Sequence, residues 1–164
     1  LPAGRPFTNC TYYPKPRFKL NGKETTYLVS GKTKYLAYSG LGAHKNKPEF
    51  VCLPNKGPIP KGEYYIVDRE SGGKLGWLRD YLSGKDEWFA LYANDKKIDD
   101  YTFCEEVKRG NFRLHPEGPL GISKGCITLT SKVKYDELRK KLLKAKKTII
   151  PNTNIKTYGV VVVS

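Results

Sequence analysis

The chain has 164 residues, enough for one domain with a real core and too few for two of ordinary size. Its 12% aromatic content argues against a disordered chain, and no apolar run approaches the ~18 residues a membrane span needs, so no membrane insertion is predicted. The net charge of +14 attracts polyanions, whether nucleic acid, anionic lipid or an acidic cell-wall polymer.

Phe18 to Leu20, the Asn21-Gly22 turn and Thr25 to Val29 read as a hairpin, because Asn-Gly favours a type I′ turn. Lys34 to Tyr38 alternates and stops at Ser39-Gly40. Gly57 to Gly62 (G-P-I-P-K-G) is a rigid turn leading into the aromatic, β-branched run Glu63 to Val67. Ser71 to Gly76 reads as loop and Trp77 to Leu82 as a short helical turn. Trp88 to Ala93, Phe112 to His115 and Gly125 to Leu129 are further strands, the last two separated by a Pro/Gly-rich loop. Between Lys132 and Lys147, eight Lys/Arg stand against Asp136 and Glu137, which supplies +6 of the charge. Tyr135, Leu138, Leu142 and Ala145 recur there at helical spacing, so one amphipathic helix is expected, capped by Ser131 or Thr130 and solvated on its basic face. Tyr158 to Val163 closes the sheet. One helix among many strands predicts a mainly β (α+β) domain over 1–164, built as a curved sheet or barrel-like sandwich.

The sequence contains no Met, so Leu1 is expected to follow a processing step or a domain excision. Cys10, Cys52, Cys104 and Cys126 show no C-x-x-C spacing, and His44 and His115 sit in no zinc pattern, so neither metal nor cofactor is expected.

The chemistry concentrates between Asn111 and Leu129, N-F-R-L-H-P-E-G-P-L-G-I-S-K-G-C-I-T-L. If Phe112 and Leu114 face the core, Arg113 and His115 face the other way, ~6.6 Å apart along the strand. Ile127 and Leu129 likewise point inward and leave Cys126 and Thr128 on the open side. A thiol, an imidazole and a guanidinium then converge on one face. An imidazole beside a thiol generates the reactive thiolate and later protonates a leaving amine. Gly125 lets a carbonyl approach, backbone N–H groups around Gly125 and Cys126 offer an oxyanion hole, and Ser123 braces the turn or orients the site. Arg113 is a candidate anchor for a substrate carboxylate. No acid lies nearby to orient His115, which leaves that role to a backbone carbonyl. His precedes Cys by eleven residues, an order opposite to that of papain-like proteases.

The string S-K-G-C-I at Ser123 to Ile127, preceded by His115, resembles the S-x-G-C-[IV] active-site motif of L,D-transpeptidases of the YkuD-like fold. Ile59 to Ile66 (I-P-K-G-E-Y-Y-I) is similar to a P-x-G-x-[FY]-x-I strand of the same enzymes. Together with F-R-L-H-P, these motifs are closest to the L,D-transpeptidase effectors delivered by type VI secretion systems. The resemblance runs from about Tyr35 to Leu143 and leaves an N-terminal extension, 1–33, unmatched. Cross-linking members carry His where this chain has Lys124, and Arg where it has Thr128. Lys124 and Thr128 therefore join Arg113 in the expected substrate-binding set, with Arg113 as substitute anchor.

The resemblance implies attack by Cys126, with His115 as base and acid, on the third-residue carbonyl of a peptidoglycan tetrapeptide stem. Terminal D-Ala would leave and a thioester would form on Cys126. Water as acceptor gives L,D-carboxypeptidase activity, a free D-amino acid gives exchange, and a second stem gives a cross-link. The implied partners are the stem peptide, a cognate immunity protein and a secretion apparatus or carrier, without nucleic acid. The implied location is the periplasm of a target bacterium, where one disulfide could form among Cys10, Cys52 and Cys104.

The same sequence admits other readings. Trp77 and Trp88, with Tyr81 and Tyr92, are core aromatics or a stacking platform. Asp99-Asp100 and Glu105-Glu106 suit a glycosidase pair poorly, since adjacent acids point apart. His44 reads as a solvent-facing residue of a polar loop and is also a candidate for the rim of the cleft. The rival function classes are a basic binding module with an inert Cys126, and a sortase-like enzyme, whose His and Cys lie much farther apart in the chain.

Overall fold

The computed structural model describes residues 15–69, 87–118, 121 and 123–164. Eleven strands are formed among them: β1 (Arg17–Phe18), β2 (Thr26–Ser30), β3 (Thr33–Tyr38), β4 (Gly62–Asp68), β5 (Phe89–Ala93), β6 (Tyr101–Cys104), β7 (Val107–Gly110), β8 (Arg113–Pro116), β9 (Ile127–Leu129), β10 (Thr148–Ile149) and β11 (Lys156–Val163). One α-helix, α1 (Lys132–Lys144), lies between β9 and β10, and two single-turn 3-10 helices (Gly42–His44 and Pro48–Phe50) follow β3.

The main sheet runs β1-β2-β3-β9-β8-β5-β4-β11-β10, and β1 also pairs β11 in parallel. That pairing closes eight strands into a barrel, with β10 attached outside, as the barrel-like mainly β expectation required. Closure removes most of the free edge that a sheet of short strands would otherwise expose. β1 and β2 belong to the stretch the motifs left unmatched, so part of that N-terminal extension is barrel wall.

The interior follows from alternation. Tyr64 and Ile66 of β4, Phe89 and Leu91 of β5, and Leu114, Ile127 and Leu129 of β8 and β9 are buried in one cluster. Tyr135, Leu138 and Leu142 of α1 join it, which is the helix face their spacing predicted. Ser131 caps the helix by accepting from the Lys134 N–H. The Tyr135 hydroxyl donates to the Leu114 carbonyl and so ties α1 to β8.

Two details differ from the sequence expectation. Asn21-Gly22 is the tip of a wider loop, in which Asn21 Oδ1 accepts from the Lys23 N–H and the Gly22 N–H donates to Asn46. A two-residue turn at Asn21-Gly22 would pair Phe18 with Thr25, whereas Phe18 pairs with Leu28. A second hairpin, β6–β7, was not anticipated; it turns at Glu105 and Glu106, both at positive φ (46° and 70°). Cys52 is disulfide-bonded to Cys104, tying that hairpin to the segment before the Gly57 turn. The expected loop at Ser71 to Gly76, the turn at Trp77 to Leu82, and Cys10 lie outside the described residues. Among the described residues, no helix is long and apolar enough to cross a membrane.

Candidate active site

β8 and β9 lie side by side and parallel, with Leu114 opposite Ile127 and His115 opposite Thr128. β8 is four residues long, so the chain retraces only ~13 Å before β9 begins, and the loop between them can be short. This register sends Leu114 and Ile127 inward together and puts Arg113, His115, Cys126 and Thr128 on the opposite face. The expected convergence of thiol, imidazole and guanidinium is present: Arg113, His115, Lys124 and Cys126 border one cleft of about 540 Å³, which Trp88 and Asn55 help enclose.

The face is less open than alternation implied. His115 is 4% exposed and Thr128 fully buried, because the Trp88 indole lies over the imidazole, nearly parallel, with centroids 4.2 Å apart. His115 Nδ1 is 2.7 Å from the Pro116 carbonyl. Only an N–H satisfies that carbonyl, so in the neutral ring Nδ1 carries the proton and Nε2 the lone pair. A backbone carbonyl thus orients this histidine. The Thr128 hydroxyl stands 3.3 Å from Nε2 and is a brace of the imidazole rather than a group presented to solvent.

Cys126 is a free thiol, half-buried, with Sγ donating to the Asn111 carbonyl at 3.8 Å. Burial pushes the thiol above its ordinary pKa; the Arg113 backbone N–H at the sulfur and the Arg113 guanidinium pull partly back. Burial thus favours the neutral thiol over the thiolate.

Arg113 has a different occupation from the one expected. Its two terminal nitrogens bind Asp100 at 2.6 and 2.7 Å, and Nη1 also donates to the Phe112 carbonyl. Burial opposes its charge, but Asp100 outweighs that and holds the cation firmly. A substrate carboxylate would have to displace Asp100 from this fork. Lys124, exposed at the rim of the cleft, has no ion pair among the described residues.

Ser123 is a structural brace: it is buried, donates to the Cys126 carbonyl at 2.9 Å and accepts from the Gly40 N–H. Gly125 is required by its surroundings. Its φ is +106°, and a Cβ there would fall 2.7 Å from Arg109 Nη2 and 2.9 Å from the Phe112 ring. Arg109 itself is buried and donates to the carbonyls of Val51, Gly57 and Pro58, fastening the G-P-I-P turn behind the Gly125-Cys126 peptide. Sequence reasoning missed Trp88, Asp100 and Arg109 in these roles. Asp99-Asp100 drew attention as a carboxylate pair, yet the useful partner of Asp100 was Arg113, thirteen residues on.

His44 is not at the cleft; its ring stands edge-on to Phe50, with Nδ1 3.3 Å from the Leu41 carbonyl. Tyr92 is a buried strand residue, whereas Trp77 and Tyr81 lie outside the described residues. Among the described residues, no group of three His, Cys, Asp or Glu could hold a metal ion.

No curated protein and no solved structure is significantly similar to the chain. The Tlde1 domain family does match, over residues 33–153, a span that contains the cleft and both motifs. The chain thus belongs to the Tlde1 domain family, the type VI secretion L,D-transpeptidase effector 1 domain.

Proposed function

We propose that the domain is a cysteine-dependent L,D-transpeptidase and L,D-carboxypeptidase of YkuD-like type, acting on peptidoglycan tetrapeptide stems. The observation that carries this reading is that Cys126, immediately before β9, and an oriented His115 of the parallel neighbour β8 border one cleft inside the matched span. In the first half-reaction His115 Nε2 takes the Sγ proton as sulfur attacks the third-residue carbonyl. The oxyanion is met by backbone N–H groups at Gly125 and Cys126. The intermediate collapses with breakage of the peptide bond; the amine of D-Ala leaves with the proton from Nε2, and the acyl group stays on sulfur as a thioester. Water, giving its proton to Nε2, then releases the tripeptide and restores the thiol; a D-amino acid or second stem in its place gives exchange or a cross-link.

Arg113 contributes its backbone N–H to the ionising sulfur, and Lys124 is the better candidate for the substrate's terminal carboxylate. Depletion of tetrapeptides would weaken a wall, which fits an antibacterial effector secreted into a target's periplasm, with an immunity protein in the producing cell. The +14 charge suits an anionic wall.

The test is incubation of the folded protein, its Cys52–Cys104 bridge intact, with purified tetrapeptide, read by mass. The expected result is loss of one Ala, abolished in Cys126→Ala. Intact tetrapeptide, or trimming that survives Cys126→Ala, would overturn the proposal.

A further inference from the structure

Hairpin β6–β7 stands apart from the barrel sheet and has two unlike faces. Its register pairs Tyr101 with Gly110, Thr102 with Arg109, Phe103 with Lys108 and Cys104 with Val107. The inner face is fastened twice, by the Cys52–Cys104 disulfide and by Arg109 on three backbone carbonyls. Tyr101 and Phe103, two residues apart and so on one side of the strand, point outward and are 43% and 70% exposed. The Tyr101 ring is placed by Gly110, where a Cβ would come within 2.6 Å of its Cδ1, and by the Lys108 ammonium 4.1 Å from its centroid. The hairpin therefore presents two aromatic rings, ~6.6 Å apart along the strand, on a rigid base.

Beneath them runs an open groove of about 820 Å³, lined by Tyr101, Phe103, Lys108, Asp99, Asp100 and Arg113 among others. Arg113 also borders the cleft of Cys126, so groove and cleft adjoin. The groove mixes aromatic faces with both signs of charge. That combination suits a neutral, hydroxyl-rich chain: apolar faces of sugar rings stack on aromatic rings, and hydroxyl and N-acetyl groups exchange hydrogen bonds with lysine and aspartate.

We propose that the outer face of β6–β7 binds the N-acetylated aminosugar strand of the substrate, an inference that rests on the peptidoglycan reading above. A stem attacked at its third residue is joined to its sugar three residues upstream. Three extended residues span ~10–11 Å, so only that length of peptide and the short link to the sugar separate the reacting carbonyl from the glycan. The sugar must lie close beside the cleft, and this aromatic groove adjoins it.

The test compares two substrates, the free tetrapeptide and the same stem on its disaccharide, with the full chain and with Phe103→Ser. Phe103 is solvent-exposed, so the variant is expected to fold. The expected result is a fall of about tenfold in the ratio of kcat/KM for the disaccharide-bearing stem over the free stem. An unchanged ratio would overturn the proposal, including the case where a protein partner, and not sugar, uses this face. In parallel, Cys126→Ala protein is titrated with a peptide-free oligosaccharide of the wall glycan. Binding weakened by Phe103→Ser supports the platform even if neither stem is processed, a result that would count against the enzymatic reading alone. Absence of binding, or binding indifferent to Phe103→Ser, contradicts it.

Discussion

The indole of Trp88 lies on the imidazole of His115 at 4.2 Å and 19°, while the Pro116 carbonyl holds Nδ1 from the edge. The ring is thus fixed in plane by one contact and in tautomer by the other. Trp88→Ala removes the first and leaves the second. A stacked aromatic pair is worth ~0.5–1.5 kcal/mol, so kcat should fall by up to about tenfold while the protein stays folded, and Trp88→Phe should recover most of the loss. Steady-state kinetics on tetrapeptide checks this; full activity in Trp88→Ala would show that the stack does not position His115 for the proposed role.

Cys126 should react as a buried thiol. Burial raises its pKa, and the Arg113 guanidinium opposes that rise. The rate of iodoacetamide labelling should therefore climb with pH to a midpoint above the ordinary ~8.5 of a free cysteine. Arg113→Ala removes an opposing charge, so the midpoint should move further up. A midpoint unmoved or lowered in Arg113→Ala would show that the guanidinium does not act on the sulfur.

Gly125→Ala should be both unstable and inactive. The new methyl would meet Arg109 Nη2 at 2.7 Å and Phe112 at 2.9 Å, in a backbone conformation that side chains avoid. A cost of about 1–3 kcal/mol from the backbone alone is expected in urea unfolding, with the sulfur displaced and turnover lost. Wild-type stability in this variant would mean that the turn adapts freely.

The Cys52–Cys104 bridge closes a separation of 52 residues. Chain-entropy arguments assign such a bridge ~2–4 kcal/mol. Cys52→Ser/Cys104→Ser should lower stability by about that amount and loosen the β6–β7 hairpin, leaving the Cys126 thiol available. Denaturant titration of oxidised protein and double variant measures the difference; equal stability would mean that Arg109 alone secures the hairpin.

The barrel strands were legible from their apolar and β-branched runs, and alternation picked out the inward set Phe112, Leu114, Ile127 and Leu129, although both faces of β4, β5 and β9 are buried. Arg113, His115 and Cys126 were legible by the same logic, being the polar partners of those positions. Hairpin β6–β7 was not, since its pattern is inverted. Tyr101 and Phe103 face water, whereas Thr102, Cys104 and Arg109 face in, because a disulfide and three carbonyls replace apolar contact there. Its turn uses Glu105-Glu106 at positive φ, where Asn-Gly is the usual signal. The burial of His115 was equally hidden, for it depends on Trp88, which is 27 positions earlier in the chain and reaches the site only through the β5–β8 pairing.

The most direct measurement is acid quenching of the wild-type protein during turnover of tetrapeptide, followed by mass analysis of the intact chain and of its Cys126 peptide. An adduct of the stem tripeptide acyl group on Cys126, sensitive to hydroxylamine, is the expected result. Continued release of alanine with an unmodified Cys126, undiminished in Cys126→Ala, would contradict the account.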